Sequence, residues 1–82
     1  MHELLDQLDL IATRDSWVGE SARQARIFLN LKAAGQITLE SARHNIATIQ
    51  KTRPHNILVQ EFEEKLDLDT LLTQISEALS DA

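Results

Sequence analysis

No cysteine occurs among the 82 residues. That absence excludes disulfides, thiolate metal sites and cysteine nucleophiles together. A small secreted domain would normally need such staples, so the expected location is cytoplasmic. Tyrosine is absent too, and the aromatics are Trp17, Phe28 and Phe62 alone. Valine appears twice, glycine twice and proline once. So few strand formers and turn residues exclude a hairpin-rich sheet. No apolar run nears the roughly 20 residues that cross a bilayer. The first residues, Met1-His2-Glu3-Leu4-Leu5-Asp6, carry acid where a signal peptide needs basic charge. No membrane association is expected.

What remains is rich in Leu, Ile and Ala, with 43% hydrophobic and 26% charged residues. Those are the values of a globular helical chain. The expectation is one all-α domain, residues 1–82, built as a compact bundle of four to five short helices. A chain this short hides only about 60% of its unfolded surface, so docking onto a partner would help it.

Apolar spacing places the helices. Leu4, Leu5, Leu8, Ile11 and Ala12 line one face of the first. Asp15 or Ser16 can cap a second, over residues 17–34, whose main stripe is Val18, Ala22, Ala25, Phe28 and Leu29. Ile27 and Leu31 widen that stripe, and Gly19 weakens the helix start. Gly35 reads as a left-handed C′ residue, and Thr38 as the cap of a third helix over 39–52. Leu39, Ala42, Ile46 and Ile49 form the stripe of that helix. The joint predicts a sharp corner with Ile37 buried at the bend. Pro54 stops the third helix at or before Arg53.

Asn56 can cap a fourth segment containing Leu58, Val59, Phe62 and Leu66. Leu68, Leu71, Leu72, Ile75 and Leu79 form another stripe. From Leu66 to Leu68 the apolar direction jumps by about 200°. The jump predicts a break at Asp67–Asp69, with one continuous helix of rotating apolar face as the alternative. Glu61, Glu63, Glu64 and Lys65 read as one solvated face, and Ser80-Asp81-Ala82 as a fraying end.

Charge is unevenly distributed. Residues 1–20 carry a net −4, residues 21–55 a net +5 and residues 56–82 a net −6, for −5 in all. Acidic helices can lie beside a basic one and neutralise it, or the basic centre can stay free for a polyanion.

Catalytic chemistry finds little support. Glu40 and His44 share a helix face at i, i+4, but no Glu-x-x-His or His-Glu-x-x-His pair joins them. Asp67-x-Asp69 lacks the glycine and third ligand of a calcium loop. The serines lie outside any nucleophile elbow, and two glycines make no phosphate loop. No enzymatic activity, cofactor or metal is expected.

Two modes of macromolecular contact remain. The first is a protein-interaction or assembly module acting through apolar helix faces, with a second copy of the chain as partner. Trp17, Phe28, Ile27 and Leu31 cannot all point one way from a single helix. Trp17, Ile27 and Leu31, with Leu72, Ile75 and Leu79 of the C-terminal stripe, are therefore the candidate interface. The alternative is a nucleic-acid-binding regulator with a helix-turn-helix-like pair at 17–34 and 39–52, presenting Arg43, His44, Lys51 and Arg53. Its inner pattern fits poorly, with Leu31 where a small residue is expected and Ser41 where an aliphatic is expected.

Overall fold

The computed structural model describes residues 1–52 and 59–80. They form four α-helices: α1 (His2–Ala12), α2 (Trp17–Ala33), α3 (Leu39–Lys51) and α4 (Val59–Ser80). No strand occurs among the described residues. The Cα radius of gyration is 12.2 Å, close to the roughly 12 Å of a compact chain this long. No helix among the described residues is long and apolar enough to cross a membrane.

Local chemistry sets the helix boundaries. The Ser16 hydroxyl accepts from the Gly19 amide at 3.1 Å, so Ser16 rather than Asp15 caps α2. Gly19 lies inside the helix and is buried. An added Cβ there would sit 2.0 Å from the Arg14 carbonyl oxygen. Glycine thus lets the 13–16 turn cross closely over the start of α2.

At the other end Gly35 takes φ +74. The Gln36 amide donates to the Leu31 carbonyl at 2.9 Å, and the Gly35 amide to Lys32 at 3.0 Å. That pair of hydrogen bonds closes the helix with a left-handed residue. Thr38 then caps α3 by accepting from the Ser41 amide at 3.1 Å. Ile37 is half-buried at this joint rather than buried. The third helix ends at Lys51, with Thr52 as its C-cap. Arg53, Pro54, His55, Asn56, Ile57 and Leu58 lie outside the described residues, as do Asp81 and Ala82.

Successive helices reverse direction. Asp9 of α1 meets Arg26 of α2, and Met1 and Leu5 lie beside Leu29 and Ala33. Gln50 near the end of α3 meets Asp69 and Thr73 of α4, while Arg43 and His44 lie beside Ser76 and Glu77. Among the described residues α2 and α4 each contact all three other helices, whereas α1 and α3 do not touch. The bundle is therefore a central α2–α4 pair flanked by α1 and α3. Its core draws Leu8, Val18, Ala22, Ala25, Leu29, Ile46, Ile49, Leu68, Leu71, Leu72 and Ile75 into one cluster.

The fourth helix corrects two expectations. It runs without a break through Asp67–Asp69. Phe62 and Leu66, which made the stripe jump, are 37% and 45% exposed and form no part of the core. Lys65, expected on a solvated face, is 0% exposed. It stands in phase with Leu68, Leu72, Ile75 and Leu79, at i, i+3, i+7, i+10 and i+14. The core line of α4 is continuous once a lysine is counted as its first member.

Candidate functional site

Lys65 is the natural first suspect for chemistry, because a buried amine is costly to keep. Its partners account for it. The ammonium donates to the Asp69 carboxylate one turn on. It also donates to the Gln50 carbonyl oxygen at 2.8 Å. That carbonyl lies in the last turn of α3, where no intrahelical donor follows and the helix dipole is negative. Nζ lies 5.9 Å from the centroid of the Trp17 ring, over its face. Gln50 returns the bond by donating Nε2 to the Asp69 carbonyl at 2.8 Å and to the Thr73 hydroxyl at 2.9 Å. These contacts occupy the ammonium in holding α2, α3 and α4 together at one end of the bundle.

Arg23 does similar work for α1, donating Nη1 to the carbonyls of Ala12 at 2.9 Å and Arg14 at 3.0 Å. Arg26 pairs with Asp9 at 3.0 Å and Arg14 with Glu64 at 3.2 Å. The basic groups thus divide into two sets. The arginines of α2, with Arg14 and Lys65, are spent inside the fold. Arg43 and Lys51 of α3, with Lys32, make no ion pair among the described residues. Half of the expected charge complementarity is present, and α3 stands outside it.

α3 is also bordered by open surface on both sides. Between α2 and α3 runs a cleft of about 310 Å³. Trp17, Phe28 and Ile49 give it an apolar floor, and Glu20, Gln24, Asn45 and Thr48 a polar rim. Between α3 and α4 lies a shallower groove of about 540 Å³, lined by Glu40, Arg43, His44, Ala47, Gln50, Thr73, Ser76 and Glu77. Two carboxylates sit beside its one arginine, so the groove is of mixed charge rather than basic.

The α2–α3 cleft spans nearly three turns of α2 and two of α3. The cleft joins the N-terminal two-thirds of α2 to the C-terminal half of α3.

The candidate interface residues are scattered by the fold. Trp17 is half-buried at one end of the α2–α3 cleft. Ile27 points outward and is 55% exposed, with half-buried Leu31 one turn on. Leu72 and Ile75 are 0% exposed. They belong to the core, and no surface of this fold presents them, because the C-terminal stripe faces the shared interior of the bundle. Leu79 is half-buried and packs on the same core. Of the candidate nucleic-acid residues, Arg43, His44 and Lys51 are all exposed on α3. Arg53 lies outside the described residues. Glu40 and His44 gain no third ligand, and among the described residues no three His, Asp or Glu side chains converge to hold a metal.

Two features went unseen in the sequence. Lys65 was detectable through its phase with Leu68. The sorting of cations into paired and unpaired was not, since it depends on which acids face which helix. Comparison with protein-family models, with curated proteins and with solved structures yields no match.

Proposed function

We propose that this chain is a small, non-enzymatic protein-interaction module that works by docking, with a second copy of itself as partner, and that the α3 side of the bundle is its docking face. The observation that supports this is the sorting of its surface. Arg14, Arg23, Arg26 and the buried Lys65 bond to acceptors within the fold, whereas Arg43 and Lys51 of α3 make no ion pair among the described residues. The α2–α3 cleft adds an apolar floor with a polar rim, the usual anatomy of a contact patch, and the α3–α4 groove adds polar surface. Buried Lys65 argues against an amine-based catalyst, because its donors already have protein acceptors.

The test is a dilution series of the labelled chain followed by amide chemical shifts, from millimolar to low micromolar concentration. Shifts that move with concentration and cluster in α3 and the two bordering clefts are expected. Spectra unchanged over the whole range would remove self-association, and shifts confined to α1 would move the docking face.

A second reading is nucleic-acid binding, favoured by Arg43, His44 and Lys51 lying exposed on one helix. Against it stand Glu40 and Glu77 in the same groove, which repel phosphates. Titration into labelled duplex DNA and RNA at two salt concentrations decides. Weak binding is expected, and tight binding that falls steeply with salt would reverse the order of the two readings.

A further inference from the structure

The outward side of α3 carries its own complement. Glu40, His44, Ala47 and Lys51 succeed one another at i, i+4, i+7 and i+11. At about 100° per residue they fall within a sector of roughly 60°, opposite the buried stripe of Ala42, Ile46 and Ile49. Glu40 stands in the first turn and Lys51 in the last, about 16 Å apart along the axis. Neither makes an ion pair among the described residues. Ala47, half-buried, sits between them and leaves the middle of the stripe low.

We propose that this stripe is a self-complementary contact, in which α3 of one copy packs antiparallel against α3 of a second. A two-fold axis level with the midpoint of Asn45 and Ile46 places Glu40 opposite the partner's Lys51. It places Lys51 opposite the partner's Glu40, and His44 opposite the partner's Ala47. The same axis makes both charge pairs equivalent, as a closed dimer requires.

Three properties of the structure converge on this occupant. The charges at the two ends of the stripe are opposite, so a parallel neighbour would set like against like and an antiparallel one does the reverse. Antiparallel α3 helices also bring each positive dipole end beside a negative one. α3 flanks the bundle without touching α1, so its outer side can approach another copy without obstruction from that helix.

A single helix of 13 residues buries less than a standard stable interface. The pairing is therefore weak, and its charges set register more than affinity. It rests on the docking reading above and names its partner and geometry.

Sedimentation equilibrium of the full chain at low salt tests both. The unaltered chain is expected to self-associate. Glu40→Lys alone and Lys51→Glu alone should each weaken association by roughly tenfold, because two attractive pairs become repulsive. Mixing the two single variants should restore association as a one-to-one heterodimer, since each supplies the charge that the other lacks. Restoration also shows that both variants are folded. The double variant, Glu40→Lys with Lys51→Glu, should self-associate like the original. If the original chain associates and the reversals change nothing, or mixing restores nothing, the α3 pairing is overturned while the docking reading stands. If the original chain stays monomeric throughout, both fall.

Discussion

The two halves of α4 use similar residues in opposite ways. In residues 61–66 the apolar Phe62 and Leu66 face outward, 37% and 45% exposed, while the charged Lys65 is fully enclosed. In residues 68–79 the order is conventional, with Leu68, Leu71, Leu72 and Ile75 buried and Thr70, Thr73, Gln74 and Glu77 outside. Burial along this helix follows angular phase before it follows hydrophobicity. The line through Leu68, Leu72 and Ile75 points into the shared core, and whatever residue continues that line is carried inside. At Lys65 the burial is tolerable because the end of α3 supplies a carbonyl, α4 a carboxylate and α2 an indole face. The leucine that would have packed well there is one position away and faces water.

Breaking the charged half should have the largest effect. Asp69→Ala removes the carboxylate and leaves a buried ammonium with one carbonyl and a ring. A cost of about 3–5 kcal/mol is expected. A domain this size has about 4–8 kcal/mol in all, so thermal and urea unfolding should both show a chain near its threshold. A loss below about 1 kcal/mol would mean that Lys65 reaches water without Asp69.

The apolar comparison comes next. Leu72→Ala should cost about 2–5 kcal/mol, the usual range for a buried leucine. Leu66→Ala should stay within about 0.5 kcal/mol, as for other surface positions. Substitutions at two leucines six residues apart on one helix would then differ severalfold in the shift of the urea midpoint. Equal losses would mean that the outward half of α4 is covered by something further.

The smallest change is expected from the most conspicuous pair. Lys65→Met combined with Asp69→Leu replaces both members of the pair by apolar side chains. Buried ion pairs replaced in this way are often neutral or more stable. The double variant should therefore unfold within about 1 kcal/mol of the original or above it. Its amide spectrum at the α3–α4 end should broaden if the lysine serves to select one arrangement of that seam. A large destabilisation would show instead that the bonds to Gln50 and Asp69 contribute net stability.

Much of this architecture was legible in the chain itself. Ser16, Gly35 and Thr38 end and begin helices through their own backbone and side-chain chemistry, with partners three to five residues away. Such signals need no tertiary context. The stripes of α1, α2 and α3 were legible for the same reason, since a period of 3.6 residues is a local property. The candidate site was less so. Trp17 and Ile27 look alike as surplus apolar residues, yet one floors a cleft and the other faces solvent. Arg26 and Arg43 look alike as cations, yet Asp9 binds one and among the described residues nothing binds the other.

The sequence by itself determined an all-helical chain, three of its helix boundaries, and the alternation of acidic and basic segments, because each rests on residues within a turn or two. Only the tertiary structure decided that α4 runs unbroken, that Lys65 is inside and Leu66 outside, that Leu72 and Ile75 are core, and that the charges of α3 make no ion pair among the described residues. Those outcomes depend on which helix lies opposite. A helix presents every residue at some angle, and the partner it meets chooses which angle becomes the interior.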